Sequence, residues 1–467
     1  MDARTADAEQ SVWRDLSEDT FRRHLVQLEE RTNAVPIDPR RFSVSSITDD
    51  LEYKSQLLLR EDEQSLADAF AFLVAVEEGA QSVAAVCLEE DIQNTILTVR
   101  FAAVDAISES VQIALHQVST FLVKSADAAM DTHPQSDELL QLITKLHFRR
   151  LLGRLRSSKW IKPQFLSRTH KKPLWQDFAN LIHRVQFIYT KREASAWQYL
   201  EKELHNLAEL YSSFESKAAG SEEEFTHLTC LIRRSYDSCT GDALKEYARR
   251  LRSVGSTSQI RSAIKTLHQI EKIAAYYRVS TTLVRASRRY PYYFQGKGLR
   301  LLYLLPYASI PTSIAYKEWA KTCHVHAEIQ LIIYYDIHFP RPTTCEQSPD
   351  RQVNPNILAP RVIGTSKHLC YLCYLFLKAH GRFPPANTHG RLYDQWTIPD
   401  LVEFTNEQES RYMFILQQLD NEVVARAAVS PLWKPEPMTS RENLLDSMRD
   451  ESTIALWRPA SDVQSTT

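Results

Sequence analysis

The sequence predicts a chain of two parts, a long helical region up to about residue 290 and a shorter α/β domain after it. Proline is unevenly distributed, with 5 of the 20 prolines in residues 1–290 and 15 in residues 291–467. Between Pro173 and Pro291 there is no proline, and three glycines divide that stretch into helix-length pieces. Beyond residue 290, short apolar runs alternate with helical patterns, which is typical of an α/β domain.

The composition excludes several classes of protein. The 467 residues include 56 basic and 58 acidic residues, so the formal net charge is −2 and no polyelectrolyte is indicated. A hydrophobic fraction of 43% is enough for real cores and, at about 150 residues per domain, two or three domains are expected. Residues 1–10 lack the pattern of a secretion signal, and no run reaches the roughly 18 apolar residues of a membrane span. Seven cysteines in a chain of this length are typical of reduced thiols rather than of a disulfide framework. We therefore expect an intracellular protein, cytoplasmic or nuclear.

The first 290 residues are expected to be helical. Residues 1–50 predict an amphipathic helix from Trp13 to Glu30 followed by a loop. Residues 51–290 predict an all-α region, with room for two sub-bundles, in which residues 60–125 are also helix-rich. Apolar residues at intervals of three and four form a helical stripe at Trp197, Leu200, Leu204, Leu207, Tyr211 and Phe214. The core of a helical bundle is the simplest interpretation of this stripe.

Residues 291–430 are expected to form the α/β domain. Two short apolar runs bounded by turn-forming residues predict strands over Leu299–Leu305 and Arg361–Gly364. The predicted helices are His326–Tyr335, His368–His380 and a third that a capping box of Asp400 and Glu403 opens and that runs through Ala427. Residues 431–467 are polar and rich in proline, which predicts a poorly packed tail.

Two short motifs in this domain supply residues that suit a metal site. His326 and Glu328 form the chain's His-x-Glu, and Cys370 and Cys373 form its Cys-x-x-Cys, each at the start of a predicted helix. Two thiols three residues apart at a helix N-terminus can face one ion, and the helix dipole favours their thiolates. One imidazole and two thiolates leave a tetrahedral zinc ion an open position for water. A carboxylate beside that position, such as Glu328, is what proton transfer requires.

At these residues the sequence resembles the cytidine-deaminase-like zinc superfamily, whose signature is His-x-Glu followed by Pro-Cys-x-x-Cys. The segments HVHAEIQLII (324–333), VIGTSKHLCYLCYLF (362–376) and THGRLYDQW (388–396) look like the fungal and rickettsial branch of deaminase-like proteins. The resemblance covers about residues 295–400. It implies a three-layer α/β/α fold, zinc ligands at His326, Cys370 and Cys373, and a general acid/base at Glu328. Leu369 stands where the wider signature has proline.

The same resemblance suggests a substrate pocket beside the zinc ion. Its candidate residues are Lys367, His389, Tyr393 and Trp396. The 41 residues between Glu328 and Cys370 contain five prolines and are long enough for a loop that forms one wall of the pocket.

Two other interpretations of the cysteines stay open at this stage. Cys323 and His326 form Cys-x-x-His, so that together with Cys370 and Cys373 they could make a closed structural zinc site without room for water. A metal-free redox pair of Cys370 and Cys373 is the remaining alternative.

Two basic stretches are candidates for nucleic-acid binding. Residues 145–172 contain ten Lys and Arg and no acid, with Trp160 and Phe165 between them. The second stretch lies just before the α/β domain, and its candidate contacts are Arg285, Arg288, Arg289 and Lys297, next to Tyr290, Tyr292, Tyr293 and Phe294. Cations interleaved with aromatic rings suit a single strand, whose phosphates and bases they contact. A solvated helical face or a linker is the favoured explanation of either stretch taken alone.

The sequence thus predicts a zinc-dependent hydrolytic deaminase. Its substrate would be a cytosine- or adenine-type base in a nucleoside, a nucleotide, or single-stranded RNA or DNA. The helical region would hold substrate or protein partners, and no membrane is expected. The alternative is a non-enzymatic interaction protein in which zinc only stabilises the fold. The identity of the base and the oligomeric state are not readable from the sequence.

Overall fold

A computed structural model describes residues 11–42, 56–79, 82–126, 132–164, 172–255, 257–295, 299–340, 356–384 and 386–429. The predicted tail at 431–467 and most of the proline-rich loop, residues 341–355, lie outside these described residues, as does Lys297. None of the helices in the described part of the chain combines the length and the apolar composition that crossing a bilayer requires.

The predicted N-terminal amphipathic helix is confirmed as α1 (Glu18–Thr32). It begins at Ser17, whose side chain accepts a hydrogen bond from the backbone N–H of Thr20. Its apolar face, with Phe21, Leu25 and Leu28, is buried.

Most of residues 56–295 is helical, as predicted, and the helices are α2 (Arg60–Val74), α3 (Glu109–Ala126), α4 (Thr132–Leu146), α5 (Phe148–Leu155), α6 (Phe178–Ile188), α7 (Ala194–Glu215), α8 (Glu222–Thr240), α9 (Asp242–Ser253), α10 (Ser258–Arg289) and α11 (Pro291–Phe294). The central helix is α10, which packs against α8, α4, α3, α6 and α2. Its apolar residues are buried on all sides, as expected for a helix enclosed by others. The predicted stripe of α7 is buried from Leu200 to Phe214, while Trp197 is only partly buried.

The prediction that residues 51–290 are all-α is wrong at one place. The helix-rich interpretation of 60–125 missed two strands, β1 (Ala84–Asp91) and β2 (Ile96–Ala103), which pair antiparallel from Ala84 with Ala103 to Asp91 with Ile96. Every residue of both strands is buried, so neither shows the alternation of a half-exposed strand. A short strand that is buried on both faces cannot be told from a buried helix by periodicity alone.

This hairpin lies at the centre of a five-stranded sheet. On one side β2 pairs in parallel with β3 (Leu299–Tyr303), which confirms the predicted strand there. On the other side β1 pairs antiparallel with β6 (Ile357–Leu358) and β7 (Gly364–Thr365). The strand predicted over Arg361–Gly364 is therefore wrong in its bounds. Arg361 does not join the strand because its side chain is held by the buried Glu63, with its Nε 2.7 Å from a carboxylate oxygen.

The remaining elements complete the C-terminal part. A three-stranded sheet has the order β4 (Ile310–Pro311), β5 (Thr322–Val325) and β8 (Trp396–Thr397). The three predicted helices are confirmed as α12 (Ala327–His338), α13 (Tyr371–His380) and α14 (Asn406–Ala428), and α1 packs on α14.

The capping box predicted for α14 is formed by other residues. Thr405 and Gln408 cap the helix reciprocally, with the same chemistry at the same spacing as the predicted pair of Asp400 and Glu403. Asp400 accepts a hydrogen bond from the hydroxyl of Ser11 instead.

The five-stranded sheet separates two hydrophobic cores. Val86 and Leu88 of β1 pack into the core of the helical bundle, whereas Ala85 and Cys87 pack into the core around α12 and α13. Alternate residues of a strand face opposite sides of its sheet, so β1 contributes to both cores. Helices thus cover the sheet on both faces, and part of the sheet comes from the region that was expected to be purely helical. The division of the chain into the four predicted ranges stays a prediction.

Candidate active site

The N-termini of α12 and α13 meet at one point. His326 is the N-cap residue of α12 and follows β5, and Glu328 lies in the first turn of that helix. Cys370 is the N-cap residue of α13, and its sulfur accepts a hydrogen bond from the backbone N–H of Cys373 at 3.3 Å. All four predicted side chains therefore leave the ends of two helices, where the dipoles favour negative charge.

Three of these side chains have the geometry of a metal site. The Nδ1 atom of His326 is 3.5 Å from the sulfur of Cys370 and 3.3 Å from that of Cys373. The three ligand atoms all lie within 4.8 Å of one another. Two thiols and one imidazole so arranged suit a tetrahedral metal ion with one position left for another ligand. His326, Cys370 and Cys373 can therefore hold a metal ion.

The electrostatics of the site favour a cation. Burial raises the pKa of the Cys370 thiol, but hydrogen bonds from Cys373 and the charge of His326 outweigh it, so that this pKa lies well below its usual range. Burial, and then the negative charge of Cys370, raise the pKa of the Cys373 thiol. One proton is thus shared between the two sulfurs, and a divalent ion would release it.

Glu328 is placed beside the ligands. Its side chain is almost fully buried, and one carboxylate oxygen lies 3.5 Å from the sulfur of Cys373. Burial, the largest cause, raises the pKa of this carboxyl group. A buried carboxyl next to a metal site is suited to carry a proton.

A pocket of about 280 Å³ opens onto these residues. Three of the four predicted pocket residues, Lys367, His389 and Tyr393, line it together with His326, Glu328 and Cys370. Its volume is close to the lower end of the range of about 300–1,000 Å³ for small-molecule sites. The pocket therefore suits one small group, such as a single ring.

His389 is held by backbone contacts next to Cys370. Its N–H donates to the carbonyl of Leu369 at 3.1 Å, and its Nδ1 accepts from the N–H of Arg391 at 3.0 Å. Burial, and then nearby cations, lower the pKa of His389 to about 3. The imidazole is therefore neutral at pH 7, and its proton is on Nε2, which can donate a hydrogen bond.

The comparison with known families agrees with this geometry. Residues 325–400 match the model of the OTT_1508_deam:-like deaminase family, and this range contains His326, Glu328, Cys370 and Cys373. Residues 325–400 are deaminase-like. No curated protein and no solved structure matches the chain. The match supports the predicted resemblance to deaminases, and the particular branch stays a prediction.

The fourth predicted pocket residue, Trp396, is not among the residues that line this pocket. Its side chain is buried in the core between Phe21 and Phe376, with ring centroids 6.2 and 6.0 Å away. The indole nevertheless lies close enough to Cys373 to oppose the rise that burial causes in the pKa of that thiol.

Several residues of the pocket were not predicted. Val83 and Val104 flank the β1–β2 hairpin, some 220 residues or more before the first metal-binding residue, and no local signal points to them. Trp319 lies at the mouth and is 73% exposed. No signal in the sequence identifies Trp319, because its exposure is known only from the structure. His324 also lines the pocket.

The closed four-ligand alternative is wrong in its geometry. In β5, Cys323 and Val325 are buried on one face, while His324 lies on the other face and lines the pocket together with His326, the residue after the strand. The thiol of Cys323 accepts a hydrogen bond from Arg22 and is 4.0 Å from the carbonyl of Asp394. Within the described ranges, the cluster able to hold a metal consists of His326, Cys370 and Cys373, without Cys323.

The second basic stretch is only partly available to a nucleic acid. Arg285 is exposed on α10, but Arg288 donates to the side chain of Gln135 at 2.7 Å and Arg289 lies 2.8 Å from a carboxylate oxygen of Asp62. Of the aromatic residues expected as stacking platforms, Tyr290, Tyr293 and Phe294 are buried and cannot stack on bases, whereas Tyr292 is partly exposed. The prediction that this stretch binds a nucleic acid stays untested.

Proposed function

We propose that this protein is a zinc-dependent hydrolytic deaminase that acts on a cytosine- or adenine-type base in a nucleoside, a nucleotide or a nucleic acid. The observation that carries the proposal is the position of Glu328, a buried carboxyl group beside the cluster of His326, Cys370 and Cys373, inside one pocket. The family match over residues 325–400 supports the same class of reaction.

His326, Cys370 and Cys373 would hold the zinc ion, because two thiolates and an imidazole are ligands that zinc prefers. When bound, zinc supplies a water that is activated for attack on the amino-bearing ring carbon. Glu328 would accept one proton from the attacking water and deliver it to the ring nitrogen, and it would then move the proton of the new hydroxyl group to the amino group, which leaves as ammonia. Its burial, which raises the carboxyl pKa, helps it to hold the proton between these transfers.

The pocket would orient the base around Glu328. The Nε2–H of the neutral His389 is a donor for a ring carbonyl or nitrogen acceptor. Tyr393 contacts His389 edge to face, with ring centroids 5.9 Å apart, and fixes the imidazole plane. Trp319 at the mouth would cover an entering ring.

Ammonia release from a substrate panel tests this proposal. The panel contains cytidine, adenosine, their monophosphates, and single-stranded RNA and DNA. For the substrate that reacts, Glu328→Gln is expected to lower kcat by about 10²–10⁴-fold, because the amide cannot carry the proton, while zinc stays bound. Glu407→Gln is the matched control, because Glu407 is an exposed glutamate in the first turn of α14.

Two outcomes would contradict the proposal. A zinc-loaded Glu328→Gln protein with the wild-type rate would refute the role of Glu328. A zinc-loaded wild-type protein that deaminates nothing in the panel would favour the non-enzymatic interaction protein.

A further inference from the structure

Four basic side chains converge behind the pocket, and we call them the cationic cluster. Its members are Arg150 and Arg154 of α5, Lys272 of α10 and Lys367. The two arginines belong to the basic stretch 145–172, for which a solvated face or a nucleic-acid contact was expected. Arg150 is instead 7% exposed, and Arg154, Lys272 and Lys367 are half-buried.

The contacts between elements bring these cations together. Arg150 and Arg154 are four residues apart and therefore lie on one face of α5. Arg154 donates to the backbone carbonyl of Lys272 at 2.6 Å, which joins α5 to α10. Lys367 reaches the cluster from the pocket side, and its ammonium donates to the carbonyl of Gly79. Arg150 and Arg154 lie near enough to both lysines to disfavour the charged forms of Lys272 and Lys367.

Two nearby acids offset only part of this charge. Glu78 lies near enough to Arg150 to favour its charged form, but it also accepts a hydrogen bond from the indole of Trp160 at 2.8 Å and lies 3.9 Å from Arg149. Glu271 likewise favours the charged form of Lys272, but it also accepts a hydrogen bond from His268 at 2.7 Å. Among the residues that the structure describes, neither Arg150 nor Lys272 has an ion pair, and one terminal nitrogen of Arg150 has no hydrogen-bond partner.

The protonation of the cluster reflects this imbalance. Burial, and then the neighbouring cations, lower the pKa of Lys367 to about 7, of Lys272 to about 8 and of Arg150 to about 10. The guanidinium of Arg154 lies over the rings of Phe72 and Tyr276, at 5.6 and 5.1 Å from their centroids. Four cations that face two acids leave an excess of buried positive charge, which is unfavourable, so a bound anion would relieve a penalty.

We propose that the cationic cluster binds a small, multiply charged phosphate compound. Two guanidinium forks and two ammonium groups match phosphate oxygens in charge and in hydrogen-bond geometry. The burial of Arg150 favours a compact anion over the backbone of a polymer, which would need an open groove. The site is separate from the zinc ligands and does not depend on the proposed deamination, although Lys367 also lines the catalytic pocket.

Phosphorus analysis and tripolyphosphate binding together test the proposal. The purified full chain is analysed for phosphorus per chain, and its melting temperature is measured with and without tripolyphosphate at constant ionic strength. We expect either several phosphorus atoms per chain that co-purify, or a rise of about 3–5 °C at saturating tripolyphosphate. A protein that contains no phosphorus and shows no rise overturns the proposal.

The double variant Arg150→Met/Lys272→Met removes two charges and keeps chain length. It should lose the phosphorus and the response to tripolyphosphate. In the absence of phosphate it should melt no lower than anion-free wild type, because repulsion within the cluster is removed. The matched control is Arg261→Met/Lys265→Met on the exposed face of α10, which should behave like wild type. An equal tripolyphosphate response in both double variants would overturn the assignment to the cluster.

Two further probes identify the source of the phosphate. If the cluster binds the phosphates of the substrate, cytidine triphosphate should bind more tightly than tripolyphosphate, because its base enters the pocket. If it binds a separate phosphate compound, tripolyphosphate should bind at least as tightly, and cytidine alone should not compete with it.

Discussion

The thiols of Cys323 and Cys370 lie in opposite electrostatic environments. Burial, the larger effect, raises the pKa of Cys323 to about 12 even though Arg22 opposes the shift, so this residue is a neutral thiol at pH 7. The pKa of Cys370 is held low at the N-terminus of α13. The thiolate is the form of cysteine that binds metals. Cys370 therefore suits a metal ligand, because it lies at a helix N-terminus next to His326, whereas Cys323 does not.

Serine substitutions of these cysteines test that selection. Cys323→Ser should leave about one zinc ion per chain and an unchanged cobalt-exchanged absorption spectrum, because Cys323 is not a ligand. Cys373→Ser should lose most of the zinc and destabilise the deaminase-like segment, because ligand-metal bonds contribute folding free energy. Metal analysis and the cobalt spectrum are the measurements. Loss of zinc from Cys323→Ser would contradict the three-ligand site.

At the scale of elements, the approach of α2 to β7 positions the segment that leads to Cys370. Gly364 of β7 packs directly on α2, and the N–H of Thr365 donates to the side chain of Asp68 at 2.9 Å. A Cβ atom at Gly364 would lie 2.3 Å from the carbonyl carbon of Ala67. Because the obstacle is backbone, the two elements would have to separate.

Gly364→Ala should therefore destabilise the protein by about 1–3 kcal/mol or more, as overpacking does, and weaken zinc retention six residues downstream. Urea unfolding and metal analysis measure the two effects. Gly241→Ala is the control, because a Cβ there would meet its nearest atoms, the carbonyl oxygens of Asp237 and Ser238, at 3.4 Å. Equal stability of the two variants would show that α2 and β7 do not pack as described.

At the scale of the whole molecule, the β1–β2 hairpin joins the helical bundle to the deaminase-like segment. Glu89 accepts hydrogen bonds from Arg100 at 2.5 Å and from the hydroxyl of Tyr335 in α12 at 2.7 Å. Gln330 of α12 donates to the carbonyl of Ala103 at 2.8 Å. These buried bonds hold the helix that carries Glu328 on strands from a distant part of the chain.

A fragment of residues 291–467 should therefore not fold. It lacks the two central strands, so β3, β6 and β7 have no partners and the pocket loses Val83 and Val104. We expect weak near-ultraviolet circular dichroism, no cooperative unfolding and little zinc, whereas the full chain should give strong signals in all three measurements. Cooperative unfolding of the shorter fragment with one zinc ion per chain would contradict this role of the hairpin.

The site residues that could be predicted are those whose signal is local. The spacing of Cys370 and Cys373, and His326 two residues before Glu328, place these groups at two helix ends whatever surrounds them. Helix periodicity was equally readable, and α7, α12 and α13 lie close to their predicted positions. Local hydrogen bonding and a 3.6-residue repeat depend on neighbours within a few residues, so the order of amino acids is sufficient for them.

Other features depend on contacts between residues far apart in the chain. The partners of β1, the face of β5 that carries Cys323, the buried position of Trp396 and the meeting of Arg150 with Lys367 all result from how strands and helices pack. A strand that is buried on both faces shows no alternation of apolar and polar residues, and the sequence does not tell whether a basic side chain is exposed or buried. Only packing places Arg150 and Arg154, from a basic stretch that is typical of a solvated face, in the cationic cluster beside the pocket.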